Sequence, residues 1–424
     1  MKYLLDKLLS RSNNLDKVSY DLKVLTNKSP ANKIFQAINS YSDLSEIRYV
    51  GGCVRKTINK EKIDDIDLAT NLEPKHVCDA LKKNNINFYE SGIEHGTITA
   101  LIDNFKFEIT SLRQDVFTDG RHAKVKFSKD WKLDASRRDF TLNSIYSDED
   151  GNIFDPFDGK KDLEKGVINF IGDTDKRIKE DYLRILRYLR FFLNYSKKQH
   201  NPETIRIIKI NIGGIAKISK ERLLDELRKL TKLSTLEKLS KDKLSLNLIS
   251  TIFPELKNIS FFSRLDSEKR IMIEKSDFIF LIILMIVDDS DNTDYFLYKY
   301  NISTNDKKRI KNLDNFYKNK INSKTFSENN LNQIFYYKGK QAVLDIINYR
   351  IIKSNRSDYS LKKFIKFYEE REIPKSPVSA DLLMKKYEIP EGKHLGEKLR
   401  AIEKHWVNNN FQISDQQIDN IINN

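Results

Sequence analysis

Three acids fall within the four residues Asp64 to Asp67, shortly after the glycine pair of GGCVR (51–55), in a chain with a large excess of positive charge. If DIDLAT is a β-strand, side chains alternate faces, so Asp65 and Asp67 project together while Ile66 and Leu68 turn into a core. Two parallel carboxylates repel unless a cation neutralises them. Oxygen donors with no His or Cys among them suit a hard ion, Mg2+ above all, which keeps waters and shares its shell with substrate phosphates. An exposed strand edge decorated with acids is the competing reading of a bare D-x-D. The surroundings favour the metal. Gly51 and Gly52 end the preceding strand where backbone amides can approach a phosphate with no Cβ in the way, and Arg55 lies one turn into the next helix. Glu108 in KFEITSL faces opposite to Phe107 and Ile109 and could join the pair from an adjacent strand; a solvated hairpin acid is its alternative. Together these residues make a triphosphate cradle beside a metal site, and no P-loop signature is present.

The elements that must position these residues divide the chain into two textures. From about 47 to 172, β-like runs alternate with short helical ones: IRYVGG, DIDLAT, the helical EPKHVCDALKKN, then GTITALID and KFEITSL about a tight turn at Asp103 and Asn104. After Asp173 the glycines thin out, and KEDYLRILRYLRFFLNY and KERLLDELRKLTKLS read at helical period. Pro374 and the Ser376-Pro377 pair predict a break before a last helical segment. The 424 residues exceed one ordinary core, and 39% hydrophobic content argues against disorder. With 75 Lys and Arg against 61 Asp and Glu, the net charge is +14. Cys53, Cys78 and six scattered histidines form neither a disulfide framework nor a zinc spacing, which fits a reducing cytoplasm. MKYLLDKLLS reads as an amphipathic helix, not a secretory signal, because Asp6 and Lys7 interrupt its apolar run. FIFLIILMIV (278–287) is about half the length a bilayer needs and predicts a buried core helix, so no membrane is expected as a partner.

GGCVR, DIDLAT, FEITSLRQDVFTDGRHAKVKF, RRDFTLNSIY, FDPFDGKKDL and KEDYLRILRYLRF, in this order and spacing, resemble the class II tRNA nucleotidyltransferase and poly(A) polymerase family. The resemblance is strong over about 45–230 and weaker in ISKERLLDEL and GKHLGEKLRAIEKHWVNNNF. It implies an α+β fold. After an N-terminal helical segment (1–25) would come a polymerase-beta-like nucleotidyltransferase head (26–172), with a small mixed β-sheet and helices. An all-α neck (173–255), then a helical body and tail (256–424), would follow. The implied activity is template-independent addition of C, C and A to the 3′ end of tRNA from CTP and ATP. Asp65 and Asp67 would hold two Mg2+ ions, with Glu108 as the third catalytic carboxylate. Gly52 and Arg55 would touch the triphosphate, Arg138 would add positive charge near the nucleotide, and Asp139 would lie near the ribose. A surface ion-pair cluster is the other reading of Arg137, Arg138 and Asp139.

Base choice without a template must rest on protein alone. Glu180-Asp181-x-x-Arg184 is expected to begin a helix, which places residues three apart on one face. The Asp181 carboxylate can accept from the exocyclic amine of C or A, and the Arg184 guanidinium can donate to a ring nitrogen and, for C, to O2. UTP would set an acceptor against Asp181 and a donor against Arg184. Arg187 and Arg190 continue the series and resemble the family's phosphate-side or network arginines; a solvated helix face is the alternative. Residues 116–127 read as a loop, with Gly120 as a hinge and Arg121 and His122 as mobile contacts. In family members that add full CCA, a flexible loop here helps the switch from C to A addition.

The helical half is expected to hold the tRNA acceptor and T arms. Residues 304–324 carry seven Lys or Arg against two Asp, and residues 336–368 carry eight against two, interleaved with Tyr336, Tyr337, Tyr349, Tyr359 and Phe364. A compositional bias toward Lys, Asn and Ile would produce the same patches. No obligatory protein partner is implied. The family usually reads GGxVRD, and here Lys56 takes the place of the aspartate, which removes a carboxylate beside Arg55 and leaves the acid pair intact. Two other functions stay open: a poly(A) polymerase, whose basic signature after the head strands is not found, and a catalytically silent tRNA-binding protein. No His-Asp dipeptide occurs, so an appended HD-type phosphohydrolase domain is not expected.

Overall fold

The strand that begins after Asp65 and carries Asp67 lies inside a seven-stranded mixed sheet. The structure is a computed structural model that describes residues 17–63, 65–118, 123–319, 325–354 and 359–423. The amphipathic helix expected at residues 1–10, together with Asp64, falls outside them. Two compact units are present, one running to Glu226 and the other from Leu227. The division falls within the segment expected to form the neck.

The first unit opens with helices α1 (residues 17–28) and α2 (Ala31–Asn39), then β1 (Ile47–Val50), α3 (Gly52–Ile58), β2 (Ile66–Thr70) and α4 (Pro74–Lys83). Strands β3 (Asn87–Gly92), β4 (Thr97–Ile102) and β5 (Phe105–Ser111) follow, and the two-residue turn between β4 and β5 is the one expected at Asp103 and Asn104. Asp103 takes a left-handed φ of 54° there, which a short polar side chain tolerates. With the short β8 (Tyr146–Ser147) and β9 (Ile153–Phe154), the sheet order is β3-β4-β5-β2-β1-β8-β9. Only β2 and β5 pair in parallel; every other neighbouring pair is antiparallel.

Period-two alternation decides which side of β2 is chemical. Leu68 packs into a large cluster with Ile34, Phe35, Val54, Val77 and Phe107, under the apolar faces of α2, α3 and α4. Ala69 turns to the opposite face, into a small cluster with Val50, Leu112, Ala135 and Tyr146. Asp67 shares that second face, which is too small to cover it.

The segment from 116 to 127 is not a simple loop. Strands β6 (Arg113–Thr118) and β7 (Ala123–Phe127) pair antiparallel as a separate hairpin, because backbone groups in a stretch that long gain more from a ladder than from remaining unpaired. Its tip, with Gly120, Arg121 and His122, lies outside the described residues. After α5 (Trp131–Ser136), the FDPFDG turn and α6 (Gly159–Lys165) brace the RRDF segment: Asp155 accepts from the amides of Gly159 and Lys160, both at 2.8 Å, and Asp162 from the Thr141 hydroxyl at 2.8 Å. A Cβ on Gly159 would stand 2.0 Å from the Thr141 carbonyl oxygen, so this close approach requires glycine.

Helices α7 (Thr174–Glu180), α8 (Arg184–Tyr195), α9 (Pro202–Asn211) and α10 (Lys220–Leu230) follow. The second unit continues through α11 (Leu233–Lys241) to α22 (Asp415–Asn423) and contains no β-strand among its described residues. As its sequence predicts, α14 (Phe278–Ile286) is a core helix, buried from Ile279 onward. No described helix is long and apolar enough to cross a membrane.

Candidate active site

Asp65 immediately precedes β2, and Asp67 lies within it directly opposite Glu108 of β5 in the parallel register. Burial raises the Asp67 carboxyl above its ordinary value, and Glu108 and then Asp65 add to the shift; Arg138 and Arg55 act against it. This is charge repulsion that a hard cation would relieve, and the donors are all carboxylate oxygens, so the set fits Mg2+. Glu108 is exposed and accepts from Lys106 at 2.7 Å. Among the described residues no three His, Cys, Asp or Glu side chains converge on one point ready to hold a metal, so bound phosphate and water would have to complete the shell.

The glycine pair opens the space beside these acids. Gly51 ends β1 with φ at 66° and caps α3, a backbone state that suits glycine. A Cβ on Gly52 would sit 3.6 Å from Oδ2 of Asp67, so the missing side chain leaves the acid uncovered. The Cys53 thiol donates to the backbone carbonyls of Val50 and Asp67 at 3.3 and 3.4 Å and ties α3 to β2. Arg55 is buried; its Nη1 donates to Oδ1 of Asn143, while Nε is buried with no hydrogen-bond partner among the described residues.

The RRDF residues are interior, which sets aside the surface-cluster reading. Asp134, 1% exposed, receives Arg137 Nε at 2.8 Å, Arg138 Nη2 at 3.2 Å and the Tyr146 hydroxyl at 2.7 Å. Burial would raise its carboxyl, but Arg138 and Arg137 override that and bring it down to about 2. Arg138 also reaches the Asn143 carbonyl oxygen at 3.4 Å, and its Nη1 lies beside Gly51. Asp139 accepts from Asn143 Nδ2 at 2.8 Å and from Arg187, whose charge outweighs burial and holds this carboxyl well below the usual range. The Asp139–Arg187 pair thereby joins RRDF to α8.

The expectation of one helix beginning at Glu180 is corrected. Helix α7 ends at Glu180, Asp181 is extended with φ at −154°, and α8 begins at Arg184. Asp181 therefore stands at a break and does not share a helix face with Arg184. The causes are local. Its Oδ1 accepts from the Leu183 amide at 3.2 Å, a side-chain bond that competes with helix, and Oδ2 accepts from Arg222 at 2.7 Å. The Tyr182 ring lies where a Cβ on Gly214 would stand, 2.0 Å away. Arg184 donates to Glu180 and to the Arg177 carbonyl, both at 2.7 Å, and Arg190 donates to the buried Glu226. The solvated-face reading fails for Arg190, whose guanidinium burial pushes below its ordinary value.

Arg222 and Glu226 had no assigned place in the sequence reading. Their four-residue spacing on α10, inside ISKERLLDEL, was the available signal, since it puts both on one face. Asn143, inside RRDFTLNSIY, carried no sequence signal of its contact with Arg55.

The Poly A polymerase head domain family matches residues 47–169. Over 188 residues the chain is 46% identical to the human protein named CCA tRNA nucleotidyltransferase 1, mitochondrial, covering 44% of this chain and 43% of that protein. The match thus spans less than half the length of this vertebrate relative. The CCA-adding enzyme of Staphylococcus haemolyticus is 32% identical over 307 residues, which is 71% of this chain and 72% of that protein. The chain belongs to the CCA-adding enzyme family. Solved structures of family members agree in fold: the Bacillus stearothermophilus CCA-adding enzyme in complex with CTP superposes with a TM-score of 0.69 at 21% identity, covering 92% of this chain and 95% of the other. The Thermotoga maritima enzyme complexed with tRNA gives 0.60 at 17% identity, covering 95% and 97%.

Proposed function

We propose that this protein adds C, C and A to the 3′ end of tRNA from CTP and ATP. The observation that carries the reading is the join between the two halves of the site, in which Asp139 of RRDF holds Arg187 of α8. The acid pair and glycine opening of the head are thereby tied to the helix that begins at Arg184.

Asp65 and Asp67, with Glu108 across the ladder, would hold Mg2+. The metal, when bound, supplies a lower pKa for the attacking 3′-hydroxyl and charge neutralisation on the departing pyrophosphate. Arg55 orients the triphosphate from the first turn of α3, with Gly52 leaving room for it. Arg138 adds charge from within the Asp134 network, and Asp139 lies at the ribose side. Asp181 and Arg184 read the Watson–Crick edge, and Arg222 and Glu180 hold them in place. Arg190 acts as a network residue through Glu226. The break at Asp181 keeps this chemistry intact, since the two side chains need to converge on a base and not to share a helix face.

The tRNA binds along the helical second unit. In support, Lys308, Lys363 and Lys366 are exposed, and Tyr359 is 73% exposed. Other members of the two basic stretches have structural duties. Arg309 pairs with Asp345 and Asp277, Lys318 with Asp314, and Tyr349 is core. The patch is therefore smaller than its composition suggests. The buried free thiols of Cys53 and Cys78 support a reducing compartment, the cytoplasm in our reading. The deciding experiment offers purified protein a tRNA transcript lacking CCA, with each NTP alone and together, and sizes the products. Three added nucleotides with CTP and ATP together, and two with CTP alone, are expected. A ladder of AMP additions on any RNA would replace the reading with poly(A) synthesis, and no extension would leave a binding protein.

A further inference from the structure

The Phe191 ring is a meeting point for cations. The guanidinium carbons of Arg190, Arg55 and Arg187 lie 4.2, 4.9 and 5.7 Å from its centroid. Phe191 is 2% exposed, and its edge packs on Phe140 of RRDF at 5.3 Å between centroids with an interplanar angle of 72°. Tyr195, one turn on, stacks on Phe191 at 6.2 Å and offers its own ring to Arg55 at 5.3 Å. Residues 187, 191 and 195 recur every fourth position of α8 and share one face. Like charges crowded in a desolvated place repel, and two of these arginines have carboxylate partners: Arg187 has Asp139 and Arg190 has Glu226. Arg55 is held by the neutral Asn143 amide, and its Nε makes no hydrogen bond among the described residues.

We infer that Phe191 is a positioning residue for the nucleotide, acting through Arg55 and Arg187. Its negative ring face stabilises Arg55 before any phosphate arrives, and its rigid bulk sets the spacing between the triphosphate arginine on α3 and the base-side arginines on α8. The inference rests on the nucleotide-site reading above. It goes further in making one aromatic side chain the part that links triphosphate binding to base reading.

The test replaces Phe191 in the full chain with mono-, di- and trifluorinated phenylalanine, which weaken the ring quadrupole at nearly constant shape, and with Phe191→Leu, which removes the ring. Dissociation constants for CTP, ATP and inorganic tripolyphosphate are measured by direct titration, with melting temperature followed in parallel. The constants for all three probes are expected to rise stepwise with fluorine count, to about tenfold at the trifluorinated end, as for one desolvated cation–π contact, with Leu matching that end. Constants flat within about twofold across the fluorinated series, or unchanged in Phe191→Leu, would show that the ring is only apolar filler and overturn the inference. A wild-type protein that binds none of the three probes overturns it together with the underlying reading; one that binds them without fluorine dependence overturns it alone.

Discussion

Both units bury carboxylates, but what those carboxylates face differs. In the first unit, Asp134, Asp139 and Glu226 hold arginines drawn from separate segments, which gather around α3, RRDF and α8. In the second unit, Glu255 takes Lys299, Asp345 takes Arg309, and Asp314 takes Lys318 and the Thr293 hydroxyl. These pairs brace the helical scaffold: Lys299 and Arg309 reach carboxylates 44 and 36 residues away, and Lys318 lies one turn from Asp314 on the same helix. Removing one partner of a buried pair is costly in either unit, because the other charge is left uncompensated. The difference teaches that burial of charge marks chemistry only where the partners, taken together, leave positive groups clustered around an opening.

Experiments can break or sharpen this contrast, and the largest effect is expected at the acid pair. Asp65→Ala or Asp67→Ala should reduce nucleotide addition to background while tRNA still binds, because the change removes the proposed metal ligands and leaves the proposed tRNA surface of the second unit untouched. Turnover in both variants would move the chemistry elsewhere. Next comes base choice: Asp181→Ala should narrow the CTP-to-UTP preference by about tenfold in single-turnover incorporation, whereas Arg184→Ala should slow every nucleotide. An unchanged ratio would reduce Asp181 to a cap on α7. In the second unit, Lys363→Glu with Lys366→Glu should weaken tRNA binding by about threefold to tenfold at low salt, and the loss should shrink as salt rises. A loss that ignores salt would point to damage in the fold.

Smaller effects test the electrostatics. The folded value of Asp67 lies above its unfolded one, so the native state holds the extra proton, and Asp67 opposes folding increasingly as pH rises through that raised value. A bound cation removes the opposition. The melting temperature gained on adding Mg2+ should therefore grow as pH rises from the ordinary aspartate range through the raised value of Asp67, and Asp67→Asn should flatten the increase. Least of all, Lys56→Asp should leave addition rates unchanged or slightly higher. A large loss would give Lys56 a role of its own.

The sequence made the first unit's candidate site legible because the proposed chemistry depends on alternation and local spacing. Period two put Asp67 and Glu108 each on the face away from its apolar neighbours and left open whether their strands pair, and the Asp103 turn followed from its residue types. The break at Asp181 was not legible. It depends on Arg222, 41 residues away, and on space left by Gly214, and neither belongs to the helical pattern that Glu180 to Arg190 displays. Strand pairing within 113–127 was hidden for a related reason, since a polar, glycine-containing stretch reads as a loop until its two arms are set side by side. In the second unit, composition showed positive charge but not which lysines were already engaged.

The constrained glycines of the first unit bear on how this chain can drift. Its composition leans toward lysine, asparagine and isoleucine and retains only 14 glycines in 424 residues. On an exposed helix face such exchanges cost little, so the surface composition can change almost freely. At Gly51 the positive-φ backbone strains any L side chain, and at Gly159 the carbonyl of Thr141 leaves no room for a first carbon. Substitution meets a fixed limit at such positions, as it does at Gly214 beside the Tyr182 ring.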